Sequence, residues 1–412
     1  MSPRPWIAIA TLLAAANASV GRAQTDPALV HARRILKASP LIDGHNDLAI
    51  VIREDKKAPG DVEAYDLRKH TSGDTDLERL KSGQVGAQFW SVFIPGDIKD
   101  SGYAKVQLEQ IDIARRVIER YPEALTLATS ASEVMAAFRQ GKIGSLLGME
   151  GGHAIENSLG ALRSYYRLGV RYMTLTHNVT LDWADAAMDV SRHNGLTPFG
   201  KEVVREMNRL GMIVDISHVT PKVMHDVLDI AEAPVMFSHS SAKALTDHPR
   251  NVPDDVLRRL DKNGGVVMVT FIPAFVSQPV ANWEFKLAEL TKGKAPAEAA
   301  RIGAEYAKSY PKPNATLTDV ADHIDHVRKT AGVDHVGIGS DFWGSPDMPK
   351  GLEDTSRFPY LFAELIRRGW TDADLAKLAG GNILRVLRAV EVSAARIRKI
   401  RPASTATFER LH

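Results

Sequence analysis

Eight short apolar segments, most of them followed by an amphipathic helical pattern, constrain this chain more than any other feature. They read LIDGH, VGAQFWSVFI, IGSLLGME, VRYMTLTH, MIVDISH, PVMFSH, GVVMVTF and HVGIGSD. A strand with one wet face alternates apolar and polar residues. Near-continuous apolar runs need cover on both faces, which parallel sheets obtain from crossover helices. The intervening stretches, such as YAKVQLEQIDIARRVIERY, TPFGKEVVREMNRLG and TPKVMHDVLDIA, carry helical spacing, and their Thr-Pro openings suit an N-cap followed by proline at the first helical position. Eight such units predict an α/β fold, a (β/α)8 TIM barrel. A length of 412 residues, 44% of them hydrophobic, suffices for its core.

Residues 276–316, VSQPVANWEF to SYPKPNA, interrupt this order between the seventh and eighth strands and are read as an inserted helical segment near the barrel mouth, a candidate lid. TDADLAKLAGGNILRVLRAVE is read as closing C-terminal helices, so residues 24–412 form one catalytic barrel domain. The start, MSPRPWIAIATLLAAANASVGRAQ, has an early Arg4, an apolar run and small residues Gly21 and Ala23; it reads as a signal peptide over residues 1–23, with an uncleaved anchor as the alternative. An exported, periplasmic or secreted protein is expected, with no stable membrane span after cleavage, since no other stretch approaches the roughly 20 apolar residues a spanning helix needs. Losing Arg4 and Arg22 takes the formal charge from +2 to 0, which leaves no global field to gather nucleic acid or anionic lipid. The absence of cysteine excludes disulfides, a thiol nucleophile and thiolate metal sites.

The chemistry sits at the strand ends. Side chains two apart on a strand point the same way, so His45 and Asp47 in DGHNDL reach one point beyond the first strand. Glu150, His177, His218, His239 and Asp341 end five further strands. A barrel gathers these ends on one face, where such folds build active sites. So many imidazoles and carboxylates at one mouth would repel or lose solvation unless something bound them. Neutral imidazole and carboxylate suit zinc, and a two-oxygen carboxylate can bridge, so the inventory favours two metals. Any one histidine at a strand end is more simply a hydrogen-bonded structural group; the shared placement carries the inference. His153, His193, His225, His248, His323, His326 and His335 lack that placement and are read as surface, capping or supporting groups, with His153 in EGGHAI nearest the site. GIGS before Asp341 lacks the spacing of a dinucleotide fingerprint, and neither a G-x-S-x-G elbow nor a P-loop is present.

The blocks DGHNDL, DLERLKSGQVGAQFWSVFIP, GMEGGHAI, RYMTLTHN, WADAA, GLTPFGKEVVREMNRLGMIVDISHV, FSHSSAKAL, HPRNVPDDVL, HVGIGSDF and LAGGNILRVL, from about Leu41 to Val386, resemble the membrane dipeptidase (renal dipeptidase) family of zinc peptidases. The resemblance implies a barrel of the metal-dependent hydrolase type holding two Zn2+ per chain. His45 and Asp47 would bind one, His218 and His239 the other, with Glu150 and a water or hydroxide bridging them. It further implies that His177 contacts the scissile carbonyl, Arg250 the C-terminal carboxylate of a dipeptide, and Asp341 the free amino group and the moving proton. The substrate would be a free dipeptide, with a C-terminal D-residue accepted by some members; the family also suggests a homodimer. On its own residues, Arg250 reads as a surface salt bridge or a cap for the VPDDVLRRL helix. The fourth strand end, MTLTHN, has no lysine to bridge metals, which favours the glutamate-bridged family. Ala49, Trp343 and the TFIPAF stretch depart from its pattern, and Trp343 and Phe271 are expected to reshape the substrate pocket. The rival readings are a binuclear-metal amidohydrolase acting on N-acyl amino acids, lactones or phosphoesters, and an exported non-catalytic binding protein.

Overall fold

The computed structural model describes residues 26–98 and 102–411. The segment read as a signal peptide lies outside them. Nine strands among the described residues form one parallel sheet: β1 (Leu41–Asn46), β2 (Val85–Ser91), β3 (Leu125–Leu127), β4 (Ile143–Glu150), β5 (Val170–Thr174), β6 (Ile213–Asp215), β7 (Met236–Phe237), β8 (Val266–Val269) and β9 (Val336–Ile338). The order β2-β1-β9-β8-β7-β6-β5-β4 closes through a direct β2–β4 pairing, which makes the expected eight-stranded barrel. The addition is β3, which pairs with Ile143, Gly144 and Ser145 at the start of β4, while β5 pairs with Leu147 to Glu150 further along it.

Both faces of the strands are dry, as continuous apolar runs require. Met173, Val267 and Val269 belong to the core shared with the surrounding helices. Their neighbours Tyr172, Val266 and Met268 turn the other way and pack with Phe89, Leu146 and Met236. Burying each such side chain contributes roughly 1.5–3 kcal/mol. The Thr-Pro openings act as expected: the hydroxyls of Thr197 and Thr220 accept from the amides of Gly200 and Val223, and Pro198 and Pro221 fill the first helical positions. Such caps are each worth about 1 kcal/mol.

The hydrogen-bonded ladders are shorter than the apolar runs. Four of the expected strand ends therefore lie in loops: β5 stops before His177, β6 before His218, β7 before His239 and β9 before Asp341. After β8, helices Gln278–Thr291 and Pro296–Ser309 pack together through the rings of Trp283 and Tyr306, 5.3 Å apart. They bury little, only Val280 and Ala281 in the first helix and nothing in the second. No described helix is long and apolar enough to cross a membrane.

Two glycines let the ends of β1 and β9 approach β7. A Cβ on Gly44 would lie 2.5 Å from the Ser238 carbonyl oxygen, and one on Gly339 would collide with the same carbonyl. Overpacking against backbone has no rotamer to relieve it, so Gly339→Ala should lower unfolding free energy by on the order of 3 kcal/mol. Denaturant melts of the two proteins check this, and equal midpoints would refute it.

Candidate active site

Two buried aspartates tie the loops at the barrel mouth together. Asp215, the last residue of β6, accepts hydrogen bonds from the Ser217 amide at 3.0 Å, the Ser238 amide at 2.9 Å, and the hydroxyls of Ser238 and Thr174. It thereby joins the loop carrying His218 to the loop carrying His239. Asp43 in β1 accepts from the amide and hydroxyl of Ser340 at 2.7 and 2.6 Å and from Gln88 at 3.0 Å, which fixes the residue before Asp341. Its burial pushes the carboxyl up to about 6, against these donors.

The side chains aimed by this frame meet in one cleft of about 420 Å³, lined by Asp47, Glu150, His177, His218, His239, Arg250 and Asp341 among others. His45 lies behind the lining, fully buried, with Nε2 3.5 Å from both Asp47 and Glu150 and 3.9 Å from Asp341. On the far side, Glu150 Oε1 is 3.0 Å from His218 Nε2 and 3.2 Å from His239 Nε2. Ligand atoms fall into three overlapping trios within 4.8 Å: His45, Glu150 and His239; Glu150, His177 and His218; His45, Asp47 and Asp341. Thus the cleft brings together every site residue nominated from the sequence.

The hydrogen bonds of the imidazoles decide what this cluster is built for. His218 Nδ1 faces Asn178 Oδ1 at 3.1 Å, an acceptor, so the proton sits on Nδ1. His239 Nδ1 faces Ser238 Oγ at 2.8 Å, whose own hydroxyl hydrogen goes to Asp215, so Nδ1 again donates. Tyr172 offers its hydroxyl hydrogen toward Gly44 O at 3.4 Å and can accept from His45 Nδ1 at 2.7 Å. Burial pushes His218 down and His239 down to about 3, so each is neutral with a single N–H. Their Nε2 lone pairs therefore face one another at 2.8 Å and face Glu150 with no proton between them. His45 shifts the other way: burial opposes its charge, but Tyr172, Glu150 and Asp47 together hold it well above the ordinary range. Its Nε2 and Asp47 Oδ1 are buried without hydrogen-bond partners. The bare nitrogens of His218 and His239, each oriented from behind by an oxygen and converging on Glu150, are donors suited to a cation.

Backbone strain concentrates at the same place. His218, Asp341 and Trp343 hold left-handed φ values of 66°, 62° and 75°. Each costs roughly 1–3 kcal/mol for a residue with a side chain. The Ala187 amide donates to His218 O at 2.7 Å, and the Asp341 amide to His45 O at 3.1 Å, which holds two of these turns in place.

Arg250 is 2% exposed, and its Nε and Nη1 have no partner. It is a desolvated cation, so burial lowers it to about 10, and it faces the cleft rather than capping the following helix. Trp343 lines the cleft as expected. Phe271 does not: it is buried against Phe342 and Phe358, at 5.9 and 5.8 Å, because the chain after β8 turns its ring inward and offers Ile272 and Phe275 instead. His153 does not line the cleft; it bonds Ile94 O at 3.0 Å, and burial pushes it down to about 4. His248, read as peripheral, does line it. The supporting Asp43, Tyr172, Asp215 and Ser238 were not singled out, although a carboxylate inside an apolar run, as in LIDGH and MIVDISH, is a readable sign.

Residues 29–401 match the model of the membrane dipeptidase family, peptidase family M19. An uncharacterized dipeptidase of Schizosaccharomyces pombe is 44% identical over 378 residues, 87% of this chain and 82% of that protein. Dipeptidase 3 of Mus musculus is 40% identical over 373 residues, 89% of this chain and 68% of that protein. A solved metallopeptidase from Rhodobacter sphaeroides, liganded with a phosphinate mimic of the dipeptide L-Ala-D-Ala, matches with a TM-score of 0.71 at 25% identity, covering 85% of this chain and 99% of that one.

Glu150 is shared by two of the ligand trios. Glu150→Ala should therefore deplete bound metal in the purified protein at least about tenfold, since losing even a group that only supports a ligand lowers metal affinity by about 10–100-fold. Elemental analysis after dialysis reads the result, and full metal content in the variant would remove Glu150 from the ligand set.

Proposed function

The chain belongs to the membrane dipeptidase family of metallopeptidases, and from that premise we propose that it hydrolyses free dipeptides with two zinc ions, held by His45 and Asp47 on one side and by His218 and His239 on the other, with Glu150 shared between them. The observation that carries this reading is the convergence of the His218 and His239 Nε2 lone pairs on Glu150, each with its Nδ1 proton committed to an oxygen behind it. The family is metal-dependent, and borderline nitrogen and carboxylate donors suit zinc. Bound zinc supplies Lewis acidity and lowers the pKa of water from about 15.7 toward 7, so attack becomes feasible near neutral pH.

The protein's own groups do the rest. Burial pushes the Asp341 carboxyl up to about 8, which makes its ionised form a stronger base than an ordinary carboxylate; in that form it takes the proton of the attacking water and returns it to the leaving nitrogen. His177 sits with its ring 4.5 Å from that of His218, and burial lowers its pKa. A neutral imidazole there donates to the carbonyl oxygen as negative charge develops, an interaction worth roughly 3–4 kcal/mol in barrier. Arg250 offers unpartnered donors to the dipeptide's carboxylate, and Asp341 pairs its ammonium, so both ends of the substrate are read. A third residue would displace one end. Acceptance of a C-terminal D-residue is supported by the L-Ala-D-Ala mimic carried by the Rhodobacter sphaeroides relative. The arginine-bearing apolar start of the chain supports export.

Amino-acid release from L,L and L,D dipeptides by the zinc-loaded protein, beside N-acetylated and C-amidated versions, tests the reading. Cleavage confined to the free dipeptides is expected; turnover of the blocked ones would favour a broader amidohydrolase. Asp341→Asn should keep its zinc and lose about 10²–10⁴-fold in kcat, and an undiminished rate would reject its role in proton transfer.

A further inference from the structure

The buried guanidinium of Arg250 raises a question of its own: what aims it? No carboxylate lies within ion-pair distance of it among the described residues. Its side chain has one hydrogen bond, a long one from Nη2 to His239 O at 3.4 Å, and Nε and Nη1 have none. An arginine stem is flexible, and an unheld fork would have to be ordered at each binding event.

What does touch it is aromatic. The guanidinium carbon lies 5.3 Å from the centre of the Phe275 ring. Phe275 packs on His248, with ring centres 4.4 Å apart, and His248 stacks on Phe285 at 5.0 Å with planes 11° apart. His248 also accepts a hydrogen bond at Nδ1 from the Arg250 backbone amide at 3.2 Å. Burial keeps that imidazole neutral, pushing it down to about 3, as an acceptor beside a cation must be. Phe275, His248 and Arg250 line the cleft, whereas Phe285 is absent from the lining and 37% exposed, on the helix Gln278–Thr291.

We propose that the stack Phe285–His248–Phe275 positions the Arg250 fork for the substrate carboxylate, so that Phe285 sets carboxylate affinity from outside the cleft lining. This rests on the reading of Arg250 as the carboxylate's partner. Holding the cation by ring faces has a chemical advantage over holding it by an aspartate. A protein carboxylate would occupy the same donors that the dipeptide needs, while a ring face orients the plane and leaves its edge free. The helix carrying Phe285 buries only Val280 and Ala281, and the Phe285–His248 stack is one of its attachments near the cleft, beside the bond from the Asp247 amide to Gln278.

The test is a double-mutant cycle on the zinc-loaded enzyme with a free L,L dipeptide. Phe285→Ala should raise KM about fivefold with kcat within about twofold, the scale of a lost cation–π support, and Phe285→Tyr should restore it. Arg250→Ala should raise KM more, and adding Phe285→Ala to it should change nothing further, since the stack acts through the arginine. An unchanged KM in Phe285→Ala, or KM effects that simply multiply in the double variant, would overturn the positioning role while leaving Arg250's own role standing. An unchanged KM in Arg250→Ala would instead overturn the carboxylate reading, and the positioning proposal with it. Should Phe285→Ala lose its fold, judged by circular dichroism and zinc content, Phe285→Leu keeps the apolar bulk without the ring and carries the same expectations.

Discussion

The whole mouth of this barrel depends on acceptors placed behind donors. Asp215 and Asp43 are buried carboxylates that touch no part of the cleft, yet they take the hydroxyl hydrogens of Ser238 and Ser340. That single choice propagates. Once the Ser238 hydrogen is spent on Asp215, the serine oxygen can only accept from His239, and His239 must turn a bare nitrogen toward Glu150. Asn178 performs the same service for His218, and Tyr172 accepts from His45 Nδ1. Removing one of the aspartates would strand several buried donors at about 1–3 kcal/mol each, and it would also free the imidazoles to choose the wrong tautomer.

This arrangement explains why so crowded a set of ionisable groups is compatible with a stable fold. Burial alone would neutralise Asp341 and the histidines. The strained turns at His218 and Asp341 add to the cost. The dry layers on both faces of the sheet offset these terms many times over, so the mouth is kept electrostatically unsatisfied while the body of the barrel supplies the stability.

How legible this was from sequence depended on range. The barrel was readable because continuous apolar runs and helical spacing are local patterns, and His45, Glu150, His177, His218, His239 and Asp341 were readable because each ends such a run, whereas Arg250 came only from the family resemblance. Strand limits were overestimated at His177, His218, His239 and Asp341, since hydrophobicity continues past the last ladder bond. Asp43 could not be interpreted from its neighbours, because its partner Ser340 lies 297 positions away. The same holds for His248, whose meaning comes from Phe285 on a distant helix. Phe271 was misplaced for a related reason: a one-residue difference in phase decides whether a ring joins the Phe342–Phe358 cluster or the cleft.

The contact of Gly44 and Gly339 with the Ser238 carbonyl bears on how such a protein can diverge. Main chain against main chain leaves no side chain to trim or enlarge, so the spacing between the loops bearing His239 and Asp341 is closed to gradual adjustment by substitution. The loosely seated helices after β8 are under no such restriction. Descendants of this chain that acquire new substrates should therefore differ in that outer segment and in the residues facing it, while the floor of the cleft is inherited unchanged, a fixed chemical tool beneath a replaceable fitting.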